Sequence, residues 1–472
     1  MVAPVRSPST VSPLVRQLGK SPHPAQLAPA FKDEPYMLLL DSAGAYPEVG
    51  RYSYLTADPF LVLRSKGQQV DIVADGVVER VQDSPFHVLR RLLRSFPVAK
   101  QPGLPPFQGG AAGYLAYDLG RLIERIPTRA RDDMALPDMC LGFYDWVLAH
   151  DALTGESCLV STGWPEGAAR RARERADWAL RRIGRASGAS RSPERFEVSG
   201  LRSNFTRDAY LAAVRRVKAY LEAGDVYQVN ISQRFQGRFV GQPWELYQAL
   251  RTANPAPFAA YLRTPDLVVL SASPEQFLRV DDRRVETRPI KGTRPRGGAP
   301  AADEALAREL LASEKDRAEN VMIVDLLRSD LGRVCGIGSV QVSSLFALEA
   351  HPTVFHLVST ITGRLADDRD AVDLLRAAFP GGSVTGAPKI RAMEIIEELE
   401  PTRRGVYCGS IGFISFTGDM NTSIAIRTIT VRGDTLEFQV GGGIVADSEP
   451  EAEYMETLHK AEGLLKAMRA HG

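Results

Sequence analysis

The chain has 472 residues, of which 44% are hydrophobic and 24% charged, a composition typical of a globular protein with room for two or three domains. Its 58 Lys and Arg nearly balance its 57 Asp and Glu, so no overall field is available to attract nucleic acid or an acidic membrane. No long apolar run or signal-peptide pattern is present, and the four cysteines lack zinc or disulfide spacing. We therefore expect a cytoplasmic protein that meets any anionic ligand through a local site.

The N-terminal third is predicted to hold an arm and a mainly β region. Residues 1–30 combine Pro and Ser with little apolar periodicity, which indicates a poorly ordered arm. In residues 31–185, short apolar runs such as 60–63 and 142–149 alternate with Gly and Pro turns, as expected of successive strands. The Arg-rich residues 168–185 have helical spacing, and we expect their charges to form a solvated face.

Residues 186–204 are predicted to link this region to a second unit. They are rich in Ser, Gly and Pro, and helical and strand patterns alternate after them, beginning with a helix at residues 207–223. No repeat with a period of about 20 to 50 residues is present, which excludes a solenoid or propeller. We interpret residues 205–472 as one α/β unit.

Lys291 is the first residue of the second half whose position suggests chemistry. It lies between Ile290 and Gly292, outside any helical pattern. A lysine held in a partly apolar pocket loses basicity and becomes a nucleophile at neutral pH. A surface lysine would fit the same spacing, so residues 286–296 alone leave both interpretations open.

Two predicted helices, at residues 313–327 and 451–468, each carry two carboxylates on one face. The pairs are Asp316 with Glu319 and Glu453 with Glu456, and Lys460 continues the second face. Acids three residues apart repel each other unless a cation offsets them, and oxygen ligands of this kind suit Mg²⁺. Two solvated pairs would have the same spacing, so a magnesium site depends on whether the helices meet.

A Gly-rich loop at residues 379–388 precedes another predicted helix. Backbone amides at the start of that helix could hold an anion, and a tight structural turn would have the same sequence. Gly381 and Gly386 have the separation of a nucleotide P-loop, but Ala387 and Pro388 stand where such a loop requires Lys and Ser or Thr. The pattern therefore excludes a nucleotide-binding P-loop.

Arg427 lies within an apolar strand pattern at residues 423–431. A buried guanidinium needs a partner, and Arg suits bidentate binding of a carboxylate. Tyr407 on the preceding strand and the triple glycine at 441–443 on the following one would face the same space, where bare backbone lets a ligand approach closely. An internal ion pair would also account for Arg427, but together these features suggest a pocket for an organic anion.

Several long motifs, taken in order, resemble the chorismate-utilising enzyme family. They are Gly-Asp-Val-Tyr-Gln-Val-Asn-Ile-Ser-Gln-Arg at 224–234, Ser-Pro-Glu at 273–275, Pro-Ile-Lys-Gly-Thr-Arg-Pro-Arg-Gly at 289–297, His-Leu-Val-Ser at 356–359, Gly-Ala-Pro-Lys at 386–389 and Glu-Tyr-Met-Glu at 453–456. N-terminal motifs at 51–55, 113–120 and 136–139 are similar to those of the members that aminate chorismate. The resemblance implies an α+β fold, a layered α/β/β/α β-sandwich in which a mainly β subregion (31–185) packs on a catalytic half (205–472).

The resemblance also implies a role for each candidate residue in Mg²⁺-dependent chemistry on chorismate. By position, Glu319 and Glu456 would bind the metal directly, with Asp316 and Glu453 supporting the metal or its waters. Asp316 stands where the family often has Glu. The residues that would line the substrate site are Tyr407, Arg427, Gly441, Gly442, Gly443, Ser383, His356, Thr293 and Lys460, with Tyr407 and Arg427 on the enolpyruvyl carboxylate.

The Pro-Ile-Lys-Gly-Thr motif around Lys291 resembles the aminodeoxychorismate synthase branch, whereas anthranilate synthases carry a small residue at that position. It implies that Lys291 attacks C2 of chorismate with loss of the C4 hydroxyl, that Glu275 acts as general acid, and that ammonia then adds at C4. The expected product is 4-amino-4-deoxychorismate, on the route to 4-aminobenzoate and folate. Anthranilate synthase component I and isochorismate synthase remain alternatives, as does an inactive tryptophan-binding sensor on the same scaffold.

The nitrogen source is expected to lie outside this chain. None of the four cysteines stands in the Gly-x-Cys-x-Gly motif of a glutaminase, so the resemblance implies a separate glutamine amidotransferase subunit that delivers ammonia. A tryptophan pocket is a further expectation, because residues 39–42, which end in Asp41 and Ser42, are similar to the family's Leu-Leu-Glu-Ser element. Asp41 replaces the usual Glu of that element.

Overall fold

Two antiparallel β-sheets form the centre of the protein. The structure is a computed structural model that describes residues 9–44, 49–186, 195–296, 298–351 and 354–469. Its strands are β1 (Leu14–Lys20), β2 (Leu38–Asp41), β3 (Tyr52–Thr56), β4 (Leu61–Lys66), β5 (Gln69–Ala74), β6 (Val77–Gln82), β7 (Gly110–Leu115), β8 (Met139–Tyr144), β9 (Trp146–Asp151), β10 (Glu156–Ser161), β11 (Glu197–Ser203), β12 (Gln228–Val240), β13 (Phe258–Arg263), β14 (Val268–Ser273), β15 (Gln276–Asp281), β16 (Arg284–Thr287), β17 (Ile290–Pro295), β18 (Gln341–Ala350), β19 (Val354–Arg364), β20 (Gly386–Ala387), β21 (Ser410–Ser415), β22 (Met420–Ile424), β23 (Thr428–Arg432) and β24 (Thr435–Ile444). Its helices are α1 (Pro24–Leu27), α2 (Pro85–Ser95), α3 (Ala169–Ala186), α4 (Arg207–Glu222), α5 (Pro243–Ala253), α6 (Pro300–Ala312), α7 (Glu314–Gly332), α8 (Ala371–Ala378), α9 (Lys389–Leu399) and α10 (Pro450–Arg469), with short 3-10 helices at Ala28–Phe31, Tyr117–Leu122 and Gly382–Val384.

Each sheet takes strands from both the N-terminal and the C-terminal part of the chain. The first sheet has the order β1-β10-β9-β3-β2-β13-β14-β23-β24-β12-β11, with β20 beside β12. The second has the order β17-β19-β16-β15-β22-β21-β7-β8-β4-β5-β6, with β18 beside β19. The two parts meet where β2 pairs with β13 and β7 with β21, for example at Leu39 with Tyr261. Backbone hydrogen bonds therefore run continuously across them in both sheets.

Apolar side chains fill the space between the sheets, and helices cover the outer faces. The central core includes Tyr54, Val147 and Val269 from the first sheet and Tyr114 and Phe413 from the second. Outside, α1, α3, α5 and α10 pack on the first sheet, and α2, α7 and α8 on the second. Inward-facing side chains from two aligned sheets interdigitate in this way in a β-sandwich. The layered α/β/β/α prediction is thus confirmed.

The five helices predicted from the sequence are confirmed as α3, α4, α7, α9 and α10. Polar caps fix where two of them begin. Thr206 accepts a hydrogen bond from the backbone N–H of Ala209 before α4, and Ser313 accepts one from Asp316 before α7. Within the described ranges, no helix combines the length and apolar character needed to cross a bilayer.

Part of the predicted N-terminal arm has regular structure. Residues 1–8 lie outside the described residues, but β1 pairs with β10, and the segment after it is helical. Phe31 is fully buried, with its ring centroid 5.2 Å from that of Trp146. A few well-placed apolar residues anchor a segment that lacks apolar periodicity, so the prediction of poor order is wrong for β1 and the helix. Of the predicted linker, residues 187–194 also lie outside the described residues, and β11 pairs with β12.

The chain crosses between the sheets at bends occupied by ionisable residues. The apolar run 142–149 divides at Asp145 into β8 of the second sheet and β9 of the first. Glu275 lies between β14 and β15, and Arg427 between β22 and β23. The prediction that Arg427 lies within a strand is therefore wrong. Arg427 occupies a bend, with φ 50°. Tyr407 likewise lies in the turn before β21. The apolar pattern conceals these bends because the strands on both sides are buried.

Candidate active site

Lys291 lies at an irregular point of β17, at one end of the second sheet. The pairing of β17 with β19 shifts register between Lys291 and Thr293, and Gly292 has φ 77°. A methyl group on Gly292 would lie 3.0 Å from Asp316 Cβ, so a larger residue would push β17 away from α7. This close approach brings Lys291 Nζ to 3.8 Å from Glu319 Oε2.

The Lys291 side chain is largely buried, with 11% of it exposed. Burial lowers the pKa of Lys291, and the positive charge of Lys460 acts in the same direction, whereas nearby carboxylates, Glu319 foremost, oppose it. The net effect is a lysine that holds more neutral amine than an exposed one. The surface interpretation of Lys291 is excluded by this burial.

Glu275 faces the same region from the bend between β14 and β15. Burial raises the pKa of Glu275 to about 7, and a hydrogen bond from Ser383 and the charge of Lys291 partly oppose the rise. The backbone fixes its position, because the N–H of Glu275 donates to Ser273 Oγ and its carbonyl accepts from the N–H of Ile424. A carboxyl with this pKa can hold and release a proton at neutral pH, as a general acid requires.

The triple glycine of β24 lies between the acids of α10 and Lys291. A methyl group on Gly442 would lie 3.2 Å from Glu453 Oε2 and 3.5 Å from Glu456 Oε1. On Gly443 it would lie 3.4 Å from Lys291 Nζ. The bare backbone therefore lets one ligand reach both the acids and the amine.

Gln228 is a site residue that the sequence analysis missed. It lies on β12, is fully buried, and neither polar atom of its amide has a hydrogen-bond partner among the described residues. A methyl group on Gly443 would lie 2.7 Å from its Nε2. An unsatisfied buried amide costs about 1–3 kcal/mol, which suits a polar ligand beside it. The available signal was strand alternation, because Gln228 and Asn230 stand two apart on one face of β12.

Glu453, a predicted metal ligand of α10, is buried, and one of its carboxylate oxygens is not bonded to any described residue. Glu453 Oε1 accepts a hydrogen bond from Ser448 at 2.6 Å, but its buried Oε2 has no partner in the part of the chain that the structure describes. Burial raises the pKa of Glu453. The hydrogen bond from Ser448 opposes this rise, whereas repulsion from Glu456 adds to it. A cation near these oxygens would offset both the burial of the carboxylate and its repulsion from Glu456.

Positive side chains partly neutralise the acids. Lys460 Nζ lies 2.7 Å from Glu456 Oε1 and donates to the carbonyl of Gly441. Asp316 is paired with Arg294 at 3.2 Å. As positioned, no three His, Cys, Asp or Glu side chains in the described residues stand close enough to hold a metal. Burial also raises the pKa of Glu319. Glu453, whose Oε2 has no hydrogen-bond partner among the described residues, therefore fits a cation better than Glu456 or Asp316, which already have positive partners.

Tyr407 and Arg427 lie on neighbouring bends. A 2.8 Å backbone hydrogen bond from the residue after Tyr407 to Ala425 joins them. On β19, His356 Nδ1 lies 2.9 Å from Thr293 Oγ1. Burial lowers the pKa of His356 well below its usual value, and Arg427 lowers it further, so the imidazole is neutral. A guanidinium, a phenol and a neutral imidazole suit an organic anion.

Asp41 and Ser42 lie elsewhere, near the junction of β2 with β13. Asp41 lines a cavity of about 390 Å³ between the two sheets. Its Oδ2 accepts hydrogen bonds from Tyr247 at 2.9 Å and Arg251 at 2.6 Å, whereas its buried Oδ1 has no hydrogen-bond partner within the described ranges. The Ser42 hydroxyl is likewise buried without one there.

The chain is similar in sequence and structure to enzymes that are described as chorismate binding or named as synthases. Residues 50–466 match a family model described as chorismate binding enzyme. The chain is 47% identical to aminodeoxychorismate synthase component 1 of Salmonella typhimurium, over 97% of this chain and 98% of that one. It is 41% identical to anthranilate synthase component 1 of Cereibacter sphaeroides, over 90% and 87%. The crystal structure of anthranilate synthase component I from Streptococcus pneumoniae superposes with TM-score 0.78 at 31% identity, covering 89% of this chain and 93% of that one.

Proposed function

The chain belongs to the chorismate binding enzyme family, and from that membership we propose that it is component 1 of an aminodeoxychorismate synthase, which converts chorismate and ammonia to 4-amino-4-deoxychorismate. The observation that carries the proposal is the buried Lys291 amine near Glu275, a carboxyl with a pKa of about 7. A nucleophile and an acid that share one site can form and break bonds on the same ring.

The first half of the proposed reaction forms a covalent bond to Lys291. Its neutral amine attacks C2 of chorismate, the ring double bonds shift, and the C4–oxygen bond breaks. Glu275 gives its proton to the departing hydroxyl, which leaves as water. The burial that lowers the pKa of Lys291 favours the neutral amine that this step needs.

The second half returns both side chains to their starting states. Ammonia forms a bond to C4, the double bonds shift back, and the C2–nitrogen bond breaks to release Lys291 as a neutral amine. The Glu275 carboxylate then takes one proton from the new C4 ammonium. One hydroxyl is thereby exchanged for one amine, with water as the other product.

The remaining site residues are proposed to bind and orient the substrate. Tyr407 and Arg427 would hold the enolpyruvyl carboxylate, with Ser383, His356, Thr293, Lys460 and the triple glycine around the ring. Glu319 and Glu456 would hold Mg²⁺, with Glu453 and Asp316 in support. When bound, the metal would neutralise the ring carboxylate and these acids. The unpartnered Glu453 oxygen supports a cation here.

Ammonia is proposed to come from a separate glutamine amidotransferase subunit. A glutaminase needs a reactive thiolate, and burial raises the pKa of all four cysteines, to about 11 for Cys158 and Cys335 and about 12 for Cys140 and Cys408. A thiol in that range stays protonated at neutral pH. We therefore expect the isolated chain to use ammonium salts but not glutamine, and glutamine-dependent turnover by the pure chain would contradict this.

Mass spectrometry of the products tests the proposal. The purified chain is incubated with chorismate, Mg²⁺ and ammonium chloride, and with each component left out in turn. The expected product keeps the enolpyruvyl group and replaces a hydroxyl by an amine. Release of pyruvate with 2-aminobenzoate would assign the anthranilate synthase reaction instead. An ammonia-independent isomer of chorismate would assign the isochorismate synthase reaction, and no turnover would favour a sensor.

We further propose that the cavity at Asp41 binds tryptophan. Asp41 Oδ1, which accepts no hydrogen bond among the described residues and lies 3.5 Å from His23 Nε2, could receive its ammonium group together with the adjacent Ser42 hydroxyl. Aromatic residues such as Tyr54 and Phe258 line the cavity. Tryptophan should then raise the thermal unfolding midpoint of the wild-type protein, since a ligand that binds the folded state stabilises it. Asp41→Asn should remove the shift; an equal shift in the variant would contradict the assignment.

A further inference from the structure

Arg404 is a buried arginine outside the proposed substrate and metal contacts. It is 2% exposed, and its Nε and one terminal nitrogen donate to the two Glu400 oxygens at 2.9 and 2.6 Å. Glu400 follows α9 and also accepts hydrogen bonds from the backbone N–H and the hydroxyl of Ser232, at 2.8 and 2.9 Å. Burying such a pair carries a desolvation cost, which is offset only when the remaining polar atoms are well bonded.

One further donor of Arg404 holds the loop that contacts Glu275. The second terminal nitrogen of Arg404 donates to the carbonyl of Val384 at 2.8 Å. Val384 follows Ser383, whose hydroxyl hydrogen-bonds the proposed general acid Glu275. The guanidinium therefore fixes the backbone that places this hydroxyl.

The same guanidinium holds the strand that faces the triple glycine. The nitrogen that contacts Glu400 also donates to the carbonyl of Asn230 at 2.7 Å. Asn230 is opposite Gly443 in the pairing of β12 with β24, and Ser232, bound by Glu400, is opposite Gly441. The ion pair thus contacts β12 at two points that match both ends of the triple glycine.

Two aromatic rings complete the surroundings of Arg404. Its guanidinium carbon lies 4.7 Å from the ring centroid of Tyr117 and 5.9 Å from that of Tyr407. Tyr407 is one of the residues proposed to hold the substrate carboxylate. Arg404 therefore packs against the ring of a proposed substrate-binding residue.

We propose that Arg404, held by Glu400, is a positioning residue: it fixes the Ser383 loop, the triple glycine and the Tyr407 ring relative to one another without touching the substrate. Lysine cannot replace it, because one ammonium group cannot contact two carboxylate oxygens and two separate carbonyls in the planar geometry of a guanidinium. The inference rests on the proposed function for its turnover assay, but its binding assay needs only chorismate.

Arg175 offers a matched control in the N-terminal part of the chain. It is 7% exposed, donates to both oxygens of Asp145 at 3.1 and 2.9 Å, and also contacts Asp58. Its guanidinium carbon lies 4.8 Å from the Trp178 ring. Arg175 therefore has the same burial, ion pair with a carboxylate and aromatic contact as Arg404. Its partners Asp145, Asp58 and Trp178 are not among the proposed substrate-binding residues.

The experiment compares Arg404→Lys with Arg175→Lys in the full chain. Thermal unfolding, chorismate affinity by calorimetry without ammonia, and kcat and KM with ammonium chloride are measured for each. Both variants should unfold at lower temperature. Arg404→Lys alone should lower kcat/KM by about tenfold or more and weaken chorismate binding, since sub-ångström misplacement of reacting groups is costly. The proposal would be overturned if the folded Arg404→Lys protein kept kcat/KM and chorismate affinity within twofold of wild type. An equal loss of kcat/KM and chorismate affinity in Arg175→Lys would also overturn it.

If Arg404→Lys does not fold, Glu400→Gln is the second variant for the same measurements. It keeps one acceptor oxygen for Ser232 and removes the charge that holds Arg404, so it should lower kcat/KM in the same direction but less. Wild-type kcat/KM and chorismate affinity in this folded variant would also overturn the proposal. If the wild-type chain binds chorismate but makes another product, the proposed function fails while the binding comparison still tests Arg404.

Discussion

A lysine acts as a nucleophile only while its amine is unprotonated, and the burial of Lys291 increases that fraction at neutral pH. Lys291→Ala should therefore lower C4 amination by about a thousandfold or more, as loss of a covalent catalyst commonly does. Lys291→Arg keeps a cation near Glu319 but supplies no usable nucleophile, so it should be equally inactive. Product formation is followed by mass spectrometry; a Lys291→Arg variant with a tenth of wild-type turnover would contradict a covalent role.

Burial raises the pKa of Glu275 to about 7, and a hydrogen bond from Ser383 limits this rise. Because the proposed general acid must be protonated, kcat/KM should fall as pH rises through that value. Ser383→Ala removes a hydrogen bond that stabilises the carboxylate, so the pKa of Glu275 should rise and this fall should move to higher pH. Ser157→Ala, which alters a buried serine on β10, should leave the profile unchanged. If the fall of kcat/KM in Ser383→Ala stays at the same pH or moves to lower pH, the proposed hydrogen bond from Ser383 to Glu275 is contradicted.

At the scale of elements, apolar periodicity predicted five of the ten described α-helices, but not where the chain changes sheets. Residues 142–149 look like one strand because both sides of Asp145 are buried. The pattern around Arg427 predicts a strand for the same reason, although Arg427 lies in a bend between the sheets. Gln228 was missed because an unpaired amide is visible only once its surroundings are known. Side-chain spacing records burial, whereas the bends depend on pairing between distant strands.

The triple glycine gives the element-scale prediction. Gly442→Ala would place a methyl group 3.2 Å from Glu453 Oε2 and so displace the acids proposed to hold Mg²⁺. The Mg²⁺ concentration that gives half-maximal turnover should rise about tenfold, the size expected when ligand orientation is disturbed. Gly184→Ala is the control, because nothing lies within 4 Å of a methyl group there and alanine suits a helix. Unchanged Mg²⁺ dependence in a folded Gly442→Ala protein would contradict the cation site.

For the whole molecule, the sequence predicted the layered sandwich through its family resemblance, whereas local patterns indicated only strands and helices. Local spacing could not show that β2 pairs with β13 or that β7 pairs with β21, since these strands are far apart in the chain. The candidate site depends on long-range pairing of the same kind. Glu275 and Arg427 occupy crossings that adjoin each other, because β14 pairs with β23 in the first sheet and β15 with β22 in the second. The 3.1 Å hydrogen bond from the N–H of Ala272 to the carbonyl of Arg427 joins the two crossings.

This shared construction predicts that residues 195–472 do not form a stable enzyme alone. Without the N-terminal strands, β13 and β21 would become exposed sheet edges, and the apolar core between the sheets would lose part of its wall in both sheets. The isolated fragment should aggregate or unfold without a cooperative transition in calorimetry. Co-expression with residues 1–186 should restore chorismate turnover, because a cut between α3 and β11 leaves both junction pairs intact. If residues 195–472 alone show wild-type turnover and a cooperative transition, the two parts fold independently and the continuous sheets contribute little to the site.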